Sequence, residues 1–295
     1  MRKRLLVLLA LCCAPGLRGQ TPDISGSLEW ETMEITASVA LNLASAGIGL
    51  PTGRARAEEL VDAEYPRLIR PSLLSIPVDS SCSLQDLIDR GEFPLQSVGA
   101  IAQGARRVPP ALSPDLSALT ASYTIDLTRL SAALIRHSRP AELTRPLRPL
   151  PAASYTGIII LAAEPLPIRG RNTAALTQPC LFPKVWDAGM NLIYERSMMD
   201  AGIARKNAMV RYVSFSSVFR PTPSGLSPEL AELVGGNPLR IIARCVYGIR
   251  PTDPVIDRED ALLILSSEEN LRLLREGRVA IMVDKSVLSN PLARE

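Results

Sequence analysis

Histidine is nearly absent: His137 is the only one in 295 residues, and lysine occurs only at Lys3, Lys184, Lys206 and Lys285. One imidazole excludes a histidine-rich metal site. It also makes any Ser-His-Asp or Cys-His arrangement depend on that single ring. His137 falls near the end of a predicted helix beside arginines, and nothing in the sequence ties it to a nucleophile, so it reads as a surface residue at a linker edge. Aromatic residues make up 4% of the chain, too few for a stacking platform that would hold sugar or single-stranded nucleic acid. None of the five cysteines forms a CxxC pair, which removes the usual zinc and thioredoxin signatures. The positive charge is almost all arginine, and a net charge of only +3 argues against a nucleic-acid partner, which would usually show a clustered basic face. No DxDxDG-type calcium loop occurs. No residue is assigned as catalytic, cofactor-binding or metal-ligating, and no cofactor is expected.

What is present begins with an export signal. Arg2, Lys3 and Arg4 form a basic start, Leu5 to Leu11 an apolar run, and Cys12, Cys13, Ala14, Pro15 and Gly16 a break. That order is what export machinery reads, and the run is shorter than the ~20 apolar residues a permanent membrane helix needs. Ala14-Pro15-Gly16 and Leu17-Arg18-Gly19 both offer cleavage points, so the signal is taken as residues 1–19. Leu9-Ala10-Leu11-Cys12 resembles a lipobox with a poor residue at Leu11, which makes Cys12 a candidate for lipidation. Cys82, Cys180 and Cys245 then remain. An oxidising compartment could pair two of them; the simpler expectation is three small apolar side chains packed inside.

The mature chain, drawn from a sequence 46% hydrophobic and 21% charged, has a globular composition and room for two domains. Thr21–Gly26 reads as a polar lead-in. Met33, Ile35, Ala37, Val39, Leu41 and Leu43 then alternate with polar or small residues, the period of a long half-buried strand. A glycine-rich break precedes a helix over Arg54 to Ile69, its face approximated by Ala57, Leu60, Val61, Glu64 and Leu68, with Pro66 expected to kink or end it. Ser83-Leu84-Gln85-Asp86 has the form of a capping box. A short helix over Leu95–Ala105, a turn at Pro109-Pro110, an alternating strand over Leu119–Leu127 and a helix over Thr128–His137 complete a first domain, residues 27–137. Ser138–Ala153 carries four prolines and three arginines and reads as a stiff linker. The second domain, residues 154–295, is expected to hold a strand at Tyr155–Ala163 and a hairpin around Asp187–Asn191. Ala201–Lys206 reads as a helix and Met209–Phe215 as a strand, followed by a loop over Arg220–Gly236. One alternating strand over Leu239–Tyr247 comes next, then helices starting at Asp257 and Ser266 and a final strand at Arg278–Asp284. Helices and strands mix without regular βα alternation, which predicts α+β.

Two motifs invite a functional reading. Gly47-Ile48-Gly49-Leu50-Pro51-Thr52-Gly53 lies between a strand and a helix, as a nucleotide-binding turn would. Pro51 removes a backbone donor and the preceding strand alternates, so a tight structural turn is the better reading. Arg54, Arg56, Arg67 and Arg70 could line one basic surface for a headgroup, a glycan or a protein, with Arg145 and Arg148 extending it. The acids Glu58, Glu59, Asp62 and Glu64 read as a solvated helix face, and Glu268-Glu269 as the charged start of a helix.

Thr52-Gly53-Arg54-Ala55-Arg56-Ala57-Glu58-Glu59-Leu60, placed after a strand and before the late strand Ala121–Leu127, is similar to the small helix-on-sheet domain of flagellar basal-disk and ring-associated lipoproteins. Tyr155–Ile160, Pro179–Asp187, Gly236–Leu239 and Leu274–Asp284 resemble the C-terminal half of exported proteins that carry that domain. The resemblance implies a non-enzymatic assembly role in the periplasm or at the outer membrane. Its implied partners are envelope or flagellar-motor proteins, further copies of the chain, or a peripherally bound membrane. It carries no active site over. Two alternatives remain open from the residues themselves: a carboxylate-dependent envelope hydrolase and a periplasmic ligand-binding module. Protein recovered from cells should lack its first residues. Intact-mass measurement is expected to find a start after Gly16 or Gly19, or an acylated start at Cys12; a soluble interior pool retaining Met1 would reject the export reading.

Overall fold

Every second residue of the strand Glu34–Asn42 is buried, namely Ile35, Ala37, Val39 and Leu41. This strand, β2, pairs antiparallel with β1 (Asp23–Glu29) in the computed structural model, which describes residues 22–142, 145–146, 149–220, 222–223 and 225–293. The export signal, Cys12 and Arg148 lie outside the described residues. Within the polar lead-in expected at Thr21–Gly26, Asp23–Gly26 belong to β1; of these only Ile24 is buried, so alternation is weak.

Helix α1 (Arg54–Leu74) lies on the buried face of this sheet; it does not end at Pro66 and continues through Pro71, past the expected end at Ile69. Its buried row is Ala57, Val61, Tyr65, Ile69 and Leu73, an i, i+4 ridge, whereas Leu60 is 38% exposed and Glu64 and Leu68 are only partly covered. Packing of that ridge against the sheet outweighs the backbone hydrogen bonds the two prolines remove. Helices α2 (Leu84–Asp89) and α3 (Leu95–Gln103) follow, the first opened by the expected Ser83–Asp86 capping box. Strand β3 (Arg106–Leu112) contains Pro109 and Pro110, read from sequence as a turn; they are accommodated because β3 is an edge strand with a register shift between Val108 and Ala111. Strand β4 (Ala118–Asp126) sits between β3 and β2, and α4 (Leu127–Leu134) closes the unit.

The described linker residues are exposed except for the half-buried Pro146 and Ala152, and they lie on the second domain, with Ala141 N donating to Ser197 O at 2.7 Å and Leu150 N to Ser266 Oγ at 2.9 Å.

The second domain starts at β5 (Ile158–Leu161), followed by the short β6 (Leu166–Pro167) and β7 (Ala174–Ala175), the hairpin β8 (Val185–Asp187) and β9 (Leu192–Tyr194), and α5 (Ala201–Ala204). Next come β10 (Arg211–Val213), α6 (Phe215–Val218) and α7 (Pro228–Val234). Helix α7 occupies the expected loop; Ser227 caps it and Pro228 fills its first turn, a start signal the surrounding prolines and glycines masked. The single strand expected over Leu239–Tyr247 is two, β11 (Leu239–Ile242) and β12 (Cys245–Tyr247), which join different sheets. Strand β13 (Asp253–Ile256), α8 (Arg258–Leu265), α9 (Glu268–Arg275), β14 (Val279–Met282) and β15 (Ser289–Pro291) complete the chain. One sheet, β10-β14-β5-β11, is parallel throughout, and its central β14 and β5 are buried nearly end to end, as strands covered on both faces should be. A second, β12-β13-β8-β9, is mixed, and β6 pairs with β7 in a two-stranded ribbon. The whole is a two-domain α+β protein.

The domains share one core. Strand β15 crosses back to pair with β1 at the edge of the first sheet. Trp30, 1% exposed, donates its backbone N–H to Leu288 O at 2.8 Å and sets its ring edge-on to Tyr212 of β10, 6.0 Å between centroids. Trp30→Ala should therefore cost about 3–5 kcal/mol, with one cooperative urea transition reporting both domains in either variant. Two separate transitions in the parent protein would show that the domains fold independently.

Candidate functional site

The segment Ser75–Ser83, between α1 and α2, reaches into the second domain and builds the junction. Pro77 O and Val78 O accept hydrogen bonds from Leu181 N (3.0 Å) and Phe182 N (2.9 Å), and Ser80 O accepts from Arg250 N at 2.9 Å. Gly248, at φ +120, lies against Ser80, and a Cβ there would collide with the Ser80 side chain. Asp253, fully buried, accepts from Thr252 Oγ1 at 2.8 Å, Lys184 N at 3.1 Å and Trp186 Nε1 at 3.4 Å. Burial raises its carboxyl above the ordinary value, while Ser80, Lys184, Thr252 and Trp186 pull it back through hydrogen bonds. Asp79 goes the other way. Burial pushes it up too, but hydrogen bonds from Ser81 and Cys82 overcome this and leave it below the usual carboxylate value.

Beside this junction is a cavity of about 330 Å³. Leu28, Trp30, Ile35 and Ile76 supply apolar walls, Pro291 and Leu292 close one side, and Arg250 stands at its rim. It adjoins a more open concavity of about 540 Å³ lined by Arg67, Arg70, Leu74 and the same Arg250. The result is an apolar trough with a basic border, the composition of a binding site for an amphipathic anion.

Of the four arginines read as one surface, only Arg67 and Arg70 reach this site. Helical rotation places Arg56 on the same stripe but about 16 Å away along the axis, and Arg54 on the opposite side. Arg54 pairs with Glu58 at 2.9 Å and donates to Pro110 O of β3 at 3.4 Å, so the basic surface is not continuous. Arg67 pairs with Glu64 at 2.9 Å. Asp62 is more than a solvated residue: it accepts from Tyr123 Oη at 2.5 Å and pairs with Arg107 at 2.8 Å, tying α1 to β4 and β3. Arg145 lies far along the chain surface, bonded to Glu268 at 2.8 Å. His137 sits at the linker edge, its Nε2 3.0 Å from Met199 O. The glycine-rich stretch forms the turn into α1, with Gly53 at the helix start and Gly53 N bonded to Gly49 O. Cys82, Cys180 and Cys245 are free thiols. Cys82 and Cys180 are buried, and burial raises both, Cys82 to about 11. Arg250, Asp253, Ser80 and Trp30 escaped the sequence reading, because only the fold brings residues 30, 80 and 250 together.

A second cleft, of about 360 Å³, is polar and lined by Glu31, Glu229, Glu232 and Glu276 with Lys206 and Arg211. Asp253 and Asp260, whose carboxyls burial raises above the ordinary value, lie outside this cleft. Among the described residues no group of three or more histidine, cysteine and acidic side chains is placed to hold a metal, and no helix is long and apolar enough to cross a membrane.

Fold and junction define a two-domain α+β protein whose prominent concave site lies where the domains meet. Residues 21–133 match the family model described as the N-terminal domain of Treponema pallidum Tp0624, and residues 157–285 match its second domain. The chain carries both domains in that order and belongs to this bacterial family. No curated protein matches the chain.

The lowered carboxyl of Asp79 sets an acid limit on the junction. Its contribution is present above its unfolded value near 3.8 and is lost as pH falls through the lower folded value. Asp79→Asn should flatten that part of the dependence: thermal midpoints followed from pH 5 down to pH 2 should fall less steeply than in the parent protein.

Proposed function

We propose that this is a non-enzymatic exported protein of the cell envelope, acting as an assembly component that binds a neighbouring protein through the trough between its domains. The observation that carries the reading is the trough itself: apolar walls from both domains, bordered by Arg70 of the first and Arg250 of the second. A site made from two domains locked by shared backbone hydrogen bonds is pre-organised, which lowers the ordering cost of binding. The basic-then-apolar start of the sequence supports export, and the resemblance to flagellar basal-disk and ring-associated lipoproteins supports a place in a periplasmic or outer-membrane complex. The finer form of the proposal puts that complex at the flagellar motor.

Cell fractionation with in-situ crosslinking tests this. The processed chain should appear in the periplasmic or outer-membrane fraction, crosslinked to envelope proteins or to further copies of itself, and cysteine-directed crosslinkers placed at the trough should give the strongest adducts. Motor imaging in a deletion strain separates the flagellar form: normal motors would reject it while leaving the envelope role standing. An uncrosslinked cytoplasmic monomer would reject both.

A further inference from the structure

We infer that the trough holds an acidic peptide, an extended segment of a neighbouring protein that puts an apolar side chain into the junction cavity and a carboxylate against Arg70 and Arg250. This rests on the binding role proposed above and names its ligand. The charge pattern is one-sided: the residues lining the two adjoining concavities include Arg67, Arg70 and Arg250 and, among the described residues, no aspartate or glutamate. Arg67 already serves Glu64. Asp86 lies within the electrostatic reach of Arg250, but its Oδ2 is taken up by the backbone and side chain of Ser83 at the cap of α2. A carboxylate arriving at Arg70 and Arg250 therefore meets an attractive field without displacing a rim acid. Beside apolar walls that attraction is stronger than in open water.

Size selects among anions. At about 330 Å³ the cavity sits at the lower end of the roughly 300–1000 Å³ range of small-ligand sites. It suits one or two apolar side chains and is too small for the paired acyl chains of a phospholipid. Free phosphate would use the arginines and leave the apolar walls empty. The polar cleft with Glu31, Glu229, Glu232 and Glu276 offers the opposite charge and disfavours an acidic segment.

The test is fluorescence anisotropy on the whole purified chain with a labelled peptide of alternating glutamate and leucine, and a lysine–leucine peptide as its counterpart. The acidic peptide should bind saturably and weaken as salt is raised. Arg70→Glu and Arg250→Glu should each weaken it tenfold or more, and Arg70→Ala and Arg250→Ala less but in the same direction, with unchanged circular dichroism. Equal binding of the lysine–leucine peptide, or no effect of either reversal, would overturn the inference. So would binding that 10 mM phosphate abolishes, or a preference for phosphatidylglycerol vesicles over the peptide. Failure here leaves envelope location and crosslinking, measured in cells, to decide the broader role separately.

Discussion

The docking of residues 77–80 onto the second domain is the constraint from which the rest of the structure follows. Three main-chain hydrogen bonds cross there, to Leu181, Phe182 and Arg250, and Ser80 fills the space that Gly248 leaves by having no side chain. Backbone bonds of this kind fix position and direction together, so the C-terminal end of α1 can meet the second domain in only one register. Trp30 and β15 then close the same seam from the other side. Without it the two halves would be separate small domains, and neither would own a complete cavity.

Much of the fold was legible because burial wrote itself in simple periods. The alternation from Met33 to Leu43 gave β2, that from Leu119 gave β4, and Ser83 with Asp86 marked the start of α2. Where the reading failed, tertiary packing had overruled a local rule. Pro66 and Pro71 do not end α1, because the ridge from Ala57 to Leu73 is seated on the sheet. Pro109 and Pro110 do not preclude a strand, because β3 needs hydrogen bonds on one side only. Alternation through Leu239–Tyr247 is continuous in sequence, yet the chain changes partner after Ile242, from β5 to β13. The site was half visible: Arg67 and Arg70 stood out as helix-surface cations, but no local signal could place Arg250 beside them.

The two clefts differ in sign, and the difference is arranged by elements rather than by net composition. The cleft with Glu31, Glu229, Glu232 and Glu276 holds more acids than cations, whereas Arg67, Arg70 and Arg250 border the trough with no described acid in its lining. Such separation orients an incoming charged partner before contact, and the effect weakens over the Debye length, about 8 Å at physiological salt.

The pairing of β15 with β1 joins residues as far apart as Glu29 and Ser289, whose side chains hydrogen-bond across 260 positions of sequence. Strand β1 therefore keeps a bare edge until the chain has grown by a further 260 positions. Contacts so distant form late, and a naked strand edge in a partly made chain invites mispairing. Unlike β3, which guards its own border with two prolines and a bulge, β1 relies on β15 for cover on that side. A chaperone that holds the chain until β15 is available would act on this edge.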